Sequence, residues 1–136
     1  MLVKQAPMIR FRIDFAENSN LGPGKIALLE GIRECGSLSE AARRMGISYR
    51  RAWLLVDSLN KSFDSPATTQ SVGGRGGGGA KVTPFGALLI KQYREFERRL
   101  NDVAGEYLEE IMNRVPGSSV VSARRVSVAK RRRRDS

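Results

Sequence analysis

The chain has 136 residues, of which 24 are Lys/Arg and 14 Asp/Glu, for a net charge of +10; 40% are hydrophobic and none is histidine. That length suits one domain with an appended arm or tail, and the charge suits a polyanionic partner, above all nucleic acid. The lone cysteine excludes an internal disulfide, and without histidine it builds no zinc site.

In chain order, residues 1–8 read as a flexible arm without a signal-peptide core. Residues 9–15 alternate apolar and charged side chains, the pattern of a half-buried strand. Asn18 to Pro23 is turn chemistry. From Gly24 to Cys35, the apolar Ile26, Leu28, Leu29 and Ile32 approximate one helical face, and Gly36 suits the position after the helix end. Cys35 reads as a small core residue, with redox sensing as the alternative.

A second helix is predicted over about Leu38–Met45. Ser37 and Glu40 form an S-x-x-E capping box, although Ser39 is an alternative cap. Gly46 permits the positive φ of a tight interhelical turn. Ser48 then caps a third helix, with Ile47 and Ala52 as a hydrophobic staple. Ala52, Leu55, Val56, Leu59 and Phe63 form its inward stripe; Tyr49, Arg50, Trp53 and Asp57 lie opposite. An ordinary αα-corner would share the geometry, but not the basic and aromatic outer face.

That layout is a helix-turn-helix, and positions suggest roles. Arg50 and Arg51 have the fork that pairs with guanine O6 and N7. Tyr49 suits a base edge or a thymine methyl. Ser48 and the N–H groups beside it suit a phosphate. Trp53 either lies along the sugar-phosphate backbone or covers the core. Arg43 and Arg44, one helix earlier, suit phosphates.

Thr68–Val72 and Ala80–Thr83 are candidate strands around the glycine loop at 73–79. The loop matches G-x-G-x-x-G, but no βαβ unit surrounds it and no acidic residue follows about 20 positions on. The P-loop pattern fails too, because Ala80 separates Gly79 from Lys81. A β wing is the better reading, with Arg75 and Lys81 facing phosphates or, for Arg75, the minor groove.

A last helix is predicted from Pro84 to about Arg114, with Phe85, Leu89, Tyr93, Phe96, Leu100, Val103, Tyr107 and Ile111 on one stripe. The stripe exceeds what so small a domain can bury, so a homodimer through residues 84–114 is expected; a helix folded back on its own domain is the alternative. Residues 116–136 hold seven Lys/Arg against one Asp, and the rest of the chain 17 against 13 acids. The tail reads as disordered, either adding salt-sensitive DNA affinity or only solubilising the chain.

The fold class is therefore mainly α with a small β wing: a winged helix-turn-helix over 9–83, a long dimerisation helix over 84–115 and a basic tail. No run approaches about 18 apolar residues, so no membrane partner is expected. The expected function is sequence-specific DNA binding in the cytoplasm, on the nucleoid, by a protein that is not an enzyme. A non-specific architectural DNA-binding protein is the alternative.

Ser39-Glu-Ala-Ala-Arg-Arg-Met-Gly-Ile-Ser-Tyr-Arg-Arg-Ala-Trp53, then Gly73-Gly-Arg-Gly-Gly-Gly-Gly-Ala80, Val82-Thr83 and Phe85-Gly86, carry a resemblance. Over about residues 20–113 the chain resembles the N-terminal DNA-binding domain of bacterial ModE-type molybdate-responsive regulators, and more distantly the LysR-type regulators. The resemblance implies a dimeric transcription factor, often a repressor, with helix 48–63 in the major groove. Relatives of this kind bind molybdate in C-terminal modules. Here a basic tail stands where those modules would begin, so no cofactor is expected, and any switch is expected in a separate effector or sensor protein.

Overall fold

A computed structural model describes residues 7–71 and 79–117. Arg75, most of the glycine loop, the first six residues and the tail from 118 onward lie outside the described residues. The chain is mainly helical with two small antiparallel sheets. It divides into two compact units, residues 10–93 and the residues on either side of them.

The first unit opens with β1 (Ile13–Ala16) and β2 (Ser19–Leu21), paired so that Ile13 faces Leu21. The strand predicted over 9–15 is therefore shorter and later, and the predicted turn contains a strand of its own. The reason is partnering. The three-residue β2 stops before Gly22 and Pro23, leaving residues 9–12 nothing to pair with. Phe11 instead stacks on Tyr93, with ring centres 4.6 Å apart, and its carbonyl accepts the Tyr93 hydroxyl at 2.8 Å. Asn18 takes the left-handed turn position (φ 65°), which asparagine tolerates better than most residues.

Helices α1 (Pro23–Cys35), α2 (Leu38–Met45) and α3 (Tyr49–Ser62) follow, then β3 (Thr68–Ser71) and β4 (Gly79–Val82). Thr68 pairs with Val82 and Thr69 with Lys81. Helix α4 (Pro84–Tyr107) begins with proline in its first turn, where a missing N–H costs nothing.

Two apolar clusters hold this unit. Leu28, Ile32, Ala41, Ala42 and Ala52 are buried together, with Leu38, Met45, Ile47, Leu55 and Val56 packed on them. Ile26, Leu29, Leu59, Leu89, Ile90 and Tyr93 form the other, joined by Phe63 and Phe85. The predicted inward stripe of α3 thus divides between the two.

Polar side chains tie the loops to this core. Lys25 is buried, and its ammonium donates to the Asn20 carbonyl (3.1 Å), Asn20 Oδ1 (3.0 Å) and Ser58 Oγ (3.1 Å). Burial, and then the charge of Arg12, lower its pKa below the usual lysine value. Asn60 Oδ1 accepts from the N–H groups of Ala67 (2.8 Å) and Thr68 (3.1 Å), while its amide donates to Thr68 Oγ1. Thr83 Oγ donates to the Pro66 carbonyl (2.7 Å) and accepts from the Gly86 N–H (3.0 Å). The end of α3, the start of β3 and the start of α4 are therefore joined through side chains. Cys35 is half-buried, and its thiol donates to the Gly31 carbonyl at 2.8 Å.

In the flanking unit, the Ile9 N–H donates to Asn101 Oδ1 at 3.0 Å. The helix predicted to run on to Arg114 is interrupted. Leu108 leaves helical dihedrals (φ −106°, ψ 17°), and α5 (Glu109–Asn113) follows it. Gly105, a weak helix former, lies in the preceding turn. Along this unit Phe96, Val103, Tyr107 and Ile111 are exposed, the last two at 80% and 62%. Among the described residues no helix is long and apolar enough to cross a membrane.

Gly86 sits where α4 passes the β3 approach. A Cβ there would collide with the Ala67 carbonyl oxygen and lie 2.8 Å from a Val82 methyl. Gly86→Ala is expected to destabilise the fold by about 1–3 kcal/mol in urea unfolding. An unchanged midpoint would mean that α4 slides off Ala67 freely.

Candidate nucleic-acid interface

The candidate interface is built by the α2–α3 turn. Ser37 caps α2, its Oγ accepting the Glu40 N–H at 3.1 Å, with the Ser39 hydroxyl 3.1 Å from it. Only half of the predicted capping box forms. The Glu40 carboxylate turns along the helix, taking Arg43 Nη2 at 2.6 Å and Arg44 Nε at 3.4 Å.

Gly46 then ends α2 in the left-handed region (φ 71°, ψ 28°). A side chain there would cost about 1–2 kcal/mol, and glycine lets the chain reverse within one residue. The Gly46 and Ile47 N–H groups bond back to the carbonyls of Arg43 and Ala42, both at 3.1 Å. Ser48 starts α3 in extended backbone, and its Oγ accepts the Arg51 N–H at 3.0 Å. Ile47 and Ala52 pack in the same apolar cluster, as the staple reading anticipated.

This start leaves one group of side chains facing outward. Tyr49 (57% exposed) and Trp53 (48%) stand one turn apart. Arg50 and Arg51 are exposed, and neither meets a carboxylate among the described residues. Trp53 lies outside both apolar clusters. Lys81 is exposed on β4, opposite Thr69. Ser48, Tyr49, Arg50, Arg51 and Trp53 thus share the first turn and a half of α3, while Lys81 stands on another element. Arg43 and Arg44 are not free cations, because Glu40 holds both.

Chemically, the start of α3 offers two guanidinium forks unpaired among the described residues, a phenol and an indole, with N–H groups directed out of the helix end. That set suits an anionic, flat-edged partner. Among the described residues no three His, Cys, Asp or Glu side chains cluster to hold a metal ion.

No family model matches the chain. It is 31% identical over 119 residues to the molybdenum transport protein ModE of Azotobacter vinelandii, covering 88% of this chain and 44% of that protein. It is 42% identical over 79 residues to the molybdenum-pterin-binding protein MopB of Rhodobacter capsulatus, covering 58% and 29%. Over 71 residues it is 39% identical to the DNA-binding transcriptional dual regulator ModE of Escherichia coli, covering 52% and 27%. Over the matched region the chain is ModE-like. It spans less than half the length of these curated relatives.

Two positioning residues escaped the sequence reading. Asn60 falls between stripe positions on α3, and nothing local shows that its amide reaches residues 67 and 68. Thr83 is the more legible, since a threonine before a helix-starting proline is a capping signal.

The Glu40 pairs have a measurable signature. The hydrogen bond from Arg43 leads the causes that hold its pKa below the ordinary glutamate value. A carboxyl with a lowered folded pKa contributes stability above its unfolded pKa, and loses it as pH falls through the folded one. Carboxyl-detected NMR is expected to show a midpoint below that of free glutamate, rising in Arg43→Gln. An unshifted midpoint in the parent would mean that the pairs do not persist in solution, leaving both arginines available.

Proposed function

We propose that this chain is a sequence-specific DNA-binding regulator of transcription of the ModE type. The carrying observation is the outward group at the start of α3, where Arg50 and Arg51 stand exposed beside Tyr49 and Trp53 on a capped, tightly turned helix. On this reading residues 9–83 are a winged helix-turn-helix. Helix α2 supports α3 in the major groove, with Arg50 and Arg51 reading bases and Ser48 and its neighbours contacting phosphate. The β3–β4 hairpin is the wing, where Lys81 meets the backbone beside the loop that contains Arg75.

The chain acts as a homodimer through residues 84–114. Exposed Phe96, Val103 and Tyr107 on α4, with Ile111 on α5, support this, since apolar side chains spread over that length favour burial against another surface. A two-fold dimer would read a palindromic operator with half-sites about 34 Å apart or a multiple of that. The family resemblance favours repression, in the cytoplasm and on the nucleoid.

The basic excess of residues 116–136 favours a second reading, an architectural protein that binds duplexes without regard to sequence. Competition separates the two. A regulator is expected to hold its site against random DNA by a factor of about 10³ or more at matched salt. Equal affinity for selected and random duplexes would sink the regulator reading.

Arg50→Ala is expected to cost about 1–3 kcal/mol on the selected site and to relax base choice there. Equal losses on both duplexes would reassign Arg50 to phosphate. Lys81→Ala is expected to weaken all duplexes alike and to lower the salt slope by about one; an unchanged slope would remove Lys81 from the interface.

A further inference from the structure

Helix α3 carries a half-exposed leucine outside both apolar clusters. Leu54 is 49% exposed and belongs to neither apolar cluster, whereas Ala52, Leu55, Val56 and Leu59 supply the helix's core face. Trp53 beside it is also exposed and outside both clusters. Single exposed leucines are common on protein surfaces, so what singles out Leu54 is its neighbours on the outer face.

The surroundings narrow the choice of partner. Arg50 lies one turn before Leu54 on the same stripe, and Arg51 is also exposed. On the following turn Asp57 pairs with Lys61 at 2.9 Å, so that its charge is matched. A small apolar spot beside two exposed guanidinium groups does not suit a broad apolar protein face. It suits a polyanion that displays isolated apolar groups. In the major groove the thymine C5-methyl is that group, because the other exposed base edges are donors and acceptors. Spacing agrees. Four helical residues rise about 6 Å, and base pairs step about 3.4 Å, so Leu54 falls within two pairs of the base that Arg50 reads.

We propose that Leu54, with Trp53 beside it, is a specificity-determining contact that selects a thymine by its C5-methyl group next to the guanine read by Arg50. The proposal rests on α3 entering the major groove.

The test uses the full chain and a site enriched from random duplexes. Arg50→Ala locates the guanine. Each thymine of the half-site is then replaced singly by uracil, which removes only the methyl. A thymine within two pairs of that guanine is expected to lose about three- to tenfold in affinity as uracil. The same replacement is expected to change binding less than about twofold in Leu54→Ala, and Leu54→Met is expected to restore sensitivity. Because Leu54 lies outside both clusters, Leu54→Ala is expected to unfold within about 5 °C of the parent.

The proposal is overturned by a half-site with no thymine near that guanine, by thymines indifferent to uracil, or by sensitivity that persists in Leu54→Ala. A changed oligomeric state in Leu54→Ala would also overturn it, by placing the side chain in a contact between chains. Failure to enrich any site is a different result, and it defeats the regulator reading itself.

Discussion

The close approach of α2 to α1 and α3 is the constraint on which the outer surface depends. Ala41, Ala42 and Ala52 are the residues at this seam, and none is more than 2% exposed. At Gly31 an added Cβ would already lie 3.2 Å from the Ala41 methyl. Larger side chains would push α2 away, and the single left-handed residue Gly46 leaves no slack to absorb the shift. The direction in which α3 points its first turn is therefore set by methyl-sized groups on its inner side.

The far end of α3 is held by different means. Ser62 Oγ donates to the Ser58 carbonyl at 2.6 Å with the Asn18 carbonyl 3.2 Å away, and Ser19 Oγ donates to the Ser62 carbonyl. Asn60 binds the incoming β3, and Lys25 joins β2 to α3. Apolar packing orients the start of the helix, while at its end hydrogen bonds to backbone act beside the packing of Leu59 and Phe63. Such bonds are directional, so they specify register as well as contributing stability.

Electrostatics then divides the basic residues into two groups. Arg43 and Arg44 are held by Glu40, so a phosphate must compete with a carboxylate to reach them. Arg50 and Arg51 face no such competition among the described residues. Counting arginines treats all four alike, although one glutamate three and four residues upstream separates them. Net charge is thus a poor guide to which cations a partner meets first.

Local signals were legible wherever the physics is local. Gly46, Ser48, the Ile47–Ala52 staple and the stripe of α3 follow from backbone preference and helical period, and they appear where the sequence places them. The first strand was misplaced because a strand needs a partner, and the length of β2 is not written in residues 9–15. The break at Leu108 was missed because an uninterrupted apolar period hides a change of dihedral. What the sequence by itself determined was the order of helices and the residues around the α2–α3 turn, since these depend on neighbours a few positions away. Only the tertiary structure decided that Asn60 and Thr83 brace the loop between them, that Glu40 engages two arginines rather than completing its cap, and that Leu54 and Trp53 stay outside the core. Those outcomes depend on side chains competing for the same atoms and the same buried space, which becomes defined only once the elements have packed.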